Sequence, residues 1–222
     1  MAVGESVVVH AGAGGVGSLA VQLAKAWGAG NVIATASTEA KRQTALDLGA
    51  DVALDSSPED LTERLKEANS GQGVDIVLEM AGGPVFDASL AALGRFGRMV
   101  TYGMASRVAP TSVAPGRLMT GSKSVVGFWL IDCIGRPGML AEPLGELFDM
   151  TSSGALRPLL GGKYPLSDVR AHIRICVRVP QLASSYSTRP ENAGSNRHES
   201  SACQVWSWVR CVSVKPPRKN FS

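Results

Sequence analysis

No stretch of eighteen or more apolar residues occurs in this 222-residue chain, so no segment reads as a helix able to cross a bilayer. The opening MAVGESVVVHAGAG has neither a basic start nor a long apolar core; a secretion signal is unsupported and the cytoplasm is the expected location. Cysteine is sparse, with four residues and no CxxC pair, and the only histidines are His10, His172 and His198. Neither type recurs at ligand spacing, so no structural or catalytic metal is expected. A Ser/His/Asp or Cys/His constellation is also missing, and no general acid stands out.

What is present is enough apolar sequence, 45% against 18% charged, to bury the core of one large domain or two small ones. The net charge of +3 conceals an asymmetry. Residues 1–169 hold 13 basic and 17 acidic side chains, whereas residues 170–222 hold 9 and 2. Cysteine divides the same way, with Cys133 alone in the first part and Cys176, Cys203 and Cys211 in the second. The two parts do not read as one surface.

The first part alternates strands and helices. SVVVH, Ser6 to His10, is a β-branched run suited to a parallel strand buried on both faces. It enters AGAGGVG, where Gly12, Gly14 and Gly17 meet the G-x-G-x-x-G spacing, followed by a helical pattern through Leu19, Leu23, Ala26 and Trp27. Each glycine has an expected role. Gly12 turns the chain sharply, Gly14 lets backbone N–H groups approach a pyrophosphate, and Gly17 lets the helix pack closely on the strand. Alone, the spacing also fits an ordinary glycine-rich turn; its setting argues for a dinucleotide loop. Strand NVIATAS, helix TEAKRQTALDLG, strand DVALD, a helix from Ser57 as N-cap and Pro58, strand VDIVLEM, helix VFDASLAALG and strand RMVTYG follow in turn. Repeated strand-helix units predict an α/β, doubly wound parallel sheet.

The end of the second strand bears on the cofactor. An acid there would hold a ribose 2′-hydroxyl; instead the strand ends Ala36-Ser37-Thr38, with Lys41 one turn on. That favours a 2′-phosphate and hence NADPH, with Ser37 as hydrogen-bond donor and Lys41 as point charge, unless Lys41 is only a solvated helix-surface lysine. His10, at a strand end, is expected to be satisfied by neighbouring backbone rather than to act in chemistry.

Five separated blocks, VVVHAGAGGVGSLAVQLAKAWGA, LGADVALD, GRFGRMVTYG, SVVGFWL and LRPLLGGKYPLSDV, resemble in sequence and order the quinone oxidoreductases, zeta-crystallin-like members of the medium-chain dehydrogenase/reductase superfamily. The resemblance covers residues 3–172 and implies a Rossmann-like, zinc-free, NADPH-dependent reductase of quinones or related enones. It also implies a homodimer through the strand around residues 124–130. Carried over, the diphosphate contacts fall on Ala13, Gly14, Gly15 and Val16, and the 2′-phosphate contacts on Ser37 and Lys41. A further adenosine contact, often tyrosine in the family, falls on Ser56, which offers no stacking face. The nicotinamide side falls on Gly82, on Tyr102, Gly103 and Met104, and on Phe128, Trp129 and Leu130; for Trp129, dimer or core packing is an equal alternative. Hydride transfer in this family needs no protein nucleophile, and no catalytic residue is assigned.

In that family a GroES-like β domain precedes the cofactor domain, and would just have ended where MAVGESVVVH begins. Residues 1–172 are therefore expected to be an NADP-binding Rossmann domain that lacks its substrate domain. Residues 173–222, rich in Ser, Arg and Pro, are expected to be a divergent, disordered basic tail, either a shifted reading frame or a genuine extension. Three functions stay open: an NADPH-linked quinone or enone reductase, a dinucleotide-binding fragment without turnover, and, with least behind it, a binder of nucleic acid or an acidic partner through the tail and its Trp206 and Trp208.

Overall fold

The computed structural model describes residues 1–169 and the short strand at residues 184–188. Six parallel strands, β1 (Ser6–Val9), β2 (Asn31–Ala36), β3 (Val52–Asp55), β4 (Val74–Glu79), β5 (Leu93–Thr101) and β6 (Ser124–Gly127), form one sheet in the order β3-β2-β1-β4-β5-β6. The doubly wound parallel sheet expected from the sequence is the one the chain adopts. The strand order reverses between β1 and β4, which leaves a crevice at their carboxyl ends.

Helices α1 (Gly15–Ala26), α2 (Glu39–Asp47), α3 (Leu61–Ala68), α4 (Gly83–Ala92), α5 (Pro115–Met119) and α6 (Ala141–Ser152) connect and cover the strands. Side-chain alternation along β1 feeds two cores. Val7 and Val9 pack with Leu19 and Leu23 of α1 and Leu147 of α6, whereas Val8 packs with Leu61 and Leu65 of α3 and Phe86 and Leu90 of α4. A second pair, β7 (Leu160–Pro165) and β8 (Ser184–Thr188), runs parallel. β8 falls within the segment expected to be a tail; the rest of that segment, with Trp206 and Trp208, lies outside the described residues.

Three local expectations are corrected. α3 begins at Leu61 after Asp60, not after Ser57: the Ser57 N–H donates to Asp55 Oδ1 at 2.9 Å, and Arg64 binds the carbonyls of Asp55, Ser57 and Glu59, so these residues are held as a loop. The sharp turn after β1 is made by Ala11, at φ 53°, and not by Gly12. Gly12 is needed for closeness instead, since a Cβ there would lie 2.7 Å from the Ala34 Cβ. His10 is satisfied by the hydroxyls of Thr35 and Ser89 rather than by backbone.

Candidate functional site

The turn from β1 into α1 brings the glycine run across the carboxyl ends of β1, β2, β4 and β5. α1 is capped by Gly14 with no side-chain cap, and its first turn holds no acid, so its leading N–H groups and the positive end of its dipole are available to an anion. Gly17 lets this turn sit close: a Cβ there would be 2.1 Å from the Ala11 carbonyl oxygen.

Two adjoining cavities share His10, Ala11, Gly14 and Met80. The first, about 240 Å³, reaches over β2 to Ala13, Ser37, Lys41 and Ser56. The second, about 470 Å³, runs the other way past Gly15, Val16 and Gly17 to Tyr102, Gly103 and Met104 at the end of β5. Together they make one trough across the switch point. Eleven of the expected contact residues line it. Gly12 lies buried beneath; Gly82, Phe128, Trp129 and Leu130 do not line either cavity. Gly82 nonetheless approaches the trough wall, since a Cβ there would meet Met104 Cγ at 2.8 Å. Phe128 packs on the core cluster that Tyr102 and Val16 also flank, and Trp129 is 61% exposed.

The trough's electrostatics are one-sided. Lys41 is the only charged side chain among its described lining residues. The neighbouring Arg42 is tied to Glu39 at 2.6 Å and to Asp55 at 2.7 Å, and Asp55 lines neither cavity. An anion at the β2 end thus meets a cation and hydroxyls with no opposing carboxylate.

Two buried polar residues support the floor. His10, at 2% exposure, places Nδ1 2.9 Å from Thr35 Oγ1 and Nε2 2.7 Å from Ser89 Oγ. Burial pushes its pKa down from 6.5 to about 4, so the ring is neutral near pH 7. Glu79, fully buried at the end of β4, was not singled out by sequence reasoning, though an acid ending an apolar strand before Gly82-Gly83 was a visible signal. Its Oε1 accepts from the Ala81 and Gly82 N–H groups at 2.7 and 2.8 Å, fixing the loop that carries Gly82 at φ 76°. Burial raises the carboxyl above its ordinary range, against the lowering by those N–H groups and Thr101. Glu79→Ala strands the buried Gly82 donor and the half-buried Ala81 donor and is expected to cost about 3 kcal/mol in urea unfolding, while Glu79→Gln, which keeps the acceptor, costs less than half of that.

The described residues offer a zinc ion no site. Among the described residues no group of three His, Cys, Asp or Glu side chains could hold a metal; Cys133 is buried, and both His10 nitrogens are engaged. No described helix is long and apolar enough to cross a membrane.

Comparison with known proteins places these features. The profile of the zinc-binding dehydrogenase family matches residues 15–146. Quinone oxidoreductase 1 of Escherichia coli is 41% identical over 184 residues, 81% of this chain and 56% of the relative. The 2-haloacrylate reductase of a Burkholderia species is 34% identical over 169 residues, 76% of this chain and 50% of the relative. Among solved structures, E. coli quinone oxidoreductase complexed with NADPH superposes with a TM-score of 0.73 at 38% identity, covering 84% of this chain and 58% of that one. The Thermus thermophilus quinone oxidoreductase gives 0.68 at 35% identity, covering 80% and 55%. The chain therefore spans about half the length of these relatives. A switch-point trough under a capless glycine turn and a profile match over most of the sheet have one explanation: this chain belongs to the zinc-binding dehydrogenase family, on its quinone oxidoreductase branch.

Proposed function

We propose that the trough binds NADPH and that the chain serves hydride transfer to a quinone or an α,β-unsaturated carbonyl acceptor. The observation that carries this reading is the trough itself: uncapped N–H groups of α1 at its centre and Lys41, unopposed, at the β2 end. Relatives solved with NADPH support it. In it, the backbone N–H groups of Ala13, Gly15 and Val16 hold the diphosphate, with Gly14, whose own N–H donates to the Ala11 carbonyl at 2.8 Å, letting it approach; Ser37 and Lys41 hold the 2′-phosphate, and Ser56 donates to the adenosine half. Tyr102, Gly103 and Met104 flank the nicotinamide end, with Gly82 behind Met104 and Phe128, Trp129 and Leu130 on the segment beyond.

When bound, the dinucleotide supplies the hydride. The chain's own share is to bind, to orient and to exclude water. The neutral His10 is committed to two hydroxyls, which suits a floor and not a proton donor. The outer edge of β6, unpaired among the described residues, would meet a second copy in the dimer that the family resemblance implies, with Trp129 beside it.

Titration of the chain with NADPH and with NADH, followed by assay of NADPH oxidation with a simple quinone in the same tube, tests the reading. Saturable NADPH binding at least tenfold tighter than NADH is expected. Lys41→Glu should erase that preference and leave NADH binding within about twofold, since one charge-assisted contact is worth roughly 1.5–3 kcal/mol. Quinone-dependent oxidation supports the full activity, and binding without it leaves a dinucleotide-binding domain. Absence of binding to both cofactors would refute the assignment.

A further inference from the structure

The opposite end of the sheet holds a second cleft, at the amino ends of β4, β5 and β6, that the dinucleotide trough does not use. It measures about 810 Å³ and is lined by Lys66, Arg95, Phe96 and Lys123, with Gln72, Thr120 and Ser122 at its polar rim. At about 3.3 Å per residue, the length of β4 puts it roughly 20 Å from the glycine turn.

An irregularity in the sheet builds it. Val74 pairs with Leu93 and the next paired residues are Ile76 and Arg98, so Asp75 alone faces Gly94 through Gly97. The excess chain is thrown outward and presents Arg95 and Phe96. Its base is a backbone-to-backbone approach in which a Cβ on Gly73 would lie 2.4 Å from the Gly94 Cα. Phe96 is held at φ 59° by its N–H donating to the Gly121 carbonyl at 2.7 Å, yet 75% of it is exposed. A bulky residue held in the left-handed region without burial gains nothing for the core, and such outliers gather where a ligand is met.

The charge is unbalanced as well. Lys66, Arg95 and Lys123 form no ion pair among the described residues, and Lys123 reaches only the Leu90 carbonyl, at 3.5 Å. The one carboxylate in the lining, Asp75, is occupied by the Ser6 N–H and hydroxyl at 2.8 and 2.7 Å. Burial, and after it the positive Lys66 and Arg117, hold the Lys123 amine below its ordinary range.

We propose that this cleft binds a nucleotide, its phosphate held among Lys66, Arg95 and Lys123 and its base stacked on Phe96. A phosphate suits a cleft lined by three cations without ion-pair partners, and an exposed ring offers a base its face. The cleft is independent of the trough and of any cofactor there.

The test is titration of the isotope-labelled full chain with AMP, adenosine and inorganic phosphate, followed by amide chemical shifts. Saturable AMP shifts at Gly94–Gly97 and Gly121–Lys123 are expected, with each fragment at least tenfold weaker. Arg95→Ser, at an exposed position, should weaken AMP at this cleft fivefold or more and leave AMP shifts at Ala11–Gly17 unchanged; Lys123→Met should do likewise and Lys123→Arg should restore binding. AMP shifts confined to the glycine turn, no shifts at all, or phosphate binding as tightly as AMP would overturn the proposal.

Discussion

Gly17→Ala lowers stability by about 2 kcal/mol and weakens dinucleotide binding more than tenfold: that is the expected result at the point where α1 meets its own turn. Alanine is intrinsically the better helix residue by about 1 kcal/mol, so propensity alone predicts a gain. The added Cβ, however, would lie 2.1 Å from the Ala11 carbonyl oxygen and 2.8 Å from its carbon. Backbone atoms cannot rotate away, and overpacking of this kind costs roughly 1–3 kcal/mol or more. The first turn of α1 must retreat by about 1 Å, and its N–H groups lose their aim at the phosphate site, a displacement that is costly wherever geometry is preset. Gly14→Ala is the control. There the nearest atom is the same Ala11 oxygen, at 3.1 Å, a contact that a shift of a few tenths of an ångström relieves, so the fold loses little while the methyl group sits at the cavity lining. Urea unfolding and cofactor titration on both variants separate the effects: Gly17→Ala loses stability and binding, Gly14→Ala loses binding alone. A Gly17→Ala protein as stable as the parent would show that the turn relaxes freely.

His10 carries the second large effect, in pH rather than sequence. Its folded pKa, about 4, lies below the unfolded 6.5, so between these values the unfolded chain binds the extra proton. Stability from this group is therefore fully present above pH 6.5 and is lost as pH falls through about 4. The shift corresponds to about 3 kcal/mol. Carboxylates titrate in the same region, so the comparison is with His10→Gln, which keeps polar atoms for Thr35 and Ser89 without a titrating ring. Unfolding free energies at steps from about pH 7 to about pH 4 should fall more steeply for the parent, by close to one proton. Parallel curves for the two proteins would mean that the ring is solvated or already charged.

The sequence made the sheet legible because its signals are local. The β-branched run Ser6 to Val9, the glycine spacing and the apolar rhythm of α1 each lie within a dozen residues. Ser37 and Lys41 were legible at the end of the second strand and Ser56 only through the family resemblance; all three line one trough because parallel strands end together. What escaped depends on distant partners. His10 finds Thr35 25 residues away and Ser89 79 residues away, and nothing near His10 distinguishes a hydroxyl partner from a backbone one. The left-handed turn falls on Ala11 because Gly12 is consumed by its contact with Ala34, a contact set by the β1–β2 pairing. Ser57 looks like a cap until Arg64, seven residues later, gathers the carbonyls around it. Each miss is tertiary context overriding a valid local preference.

The pairing of β1 with β4 also sets an order of events during synthesis. Val7 pairs with Ile76 and Val9 with Leu78, so one flank of β1 has no partner until about 70 further residues have been made. At roughly 5–20 residues per second that is an interval of several seconds. Throughout it, the apolar SVVV edge is open to wrong neighbours, and closing so long a loop is slow even when the chain is complete. The same junction that creates the ligand crevice is thus the one whose first strand waits longest for its partner, and conditions that delay β4 would be expected to direct the chain toward aggregation rather than toward a partly active form.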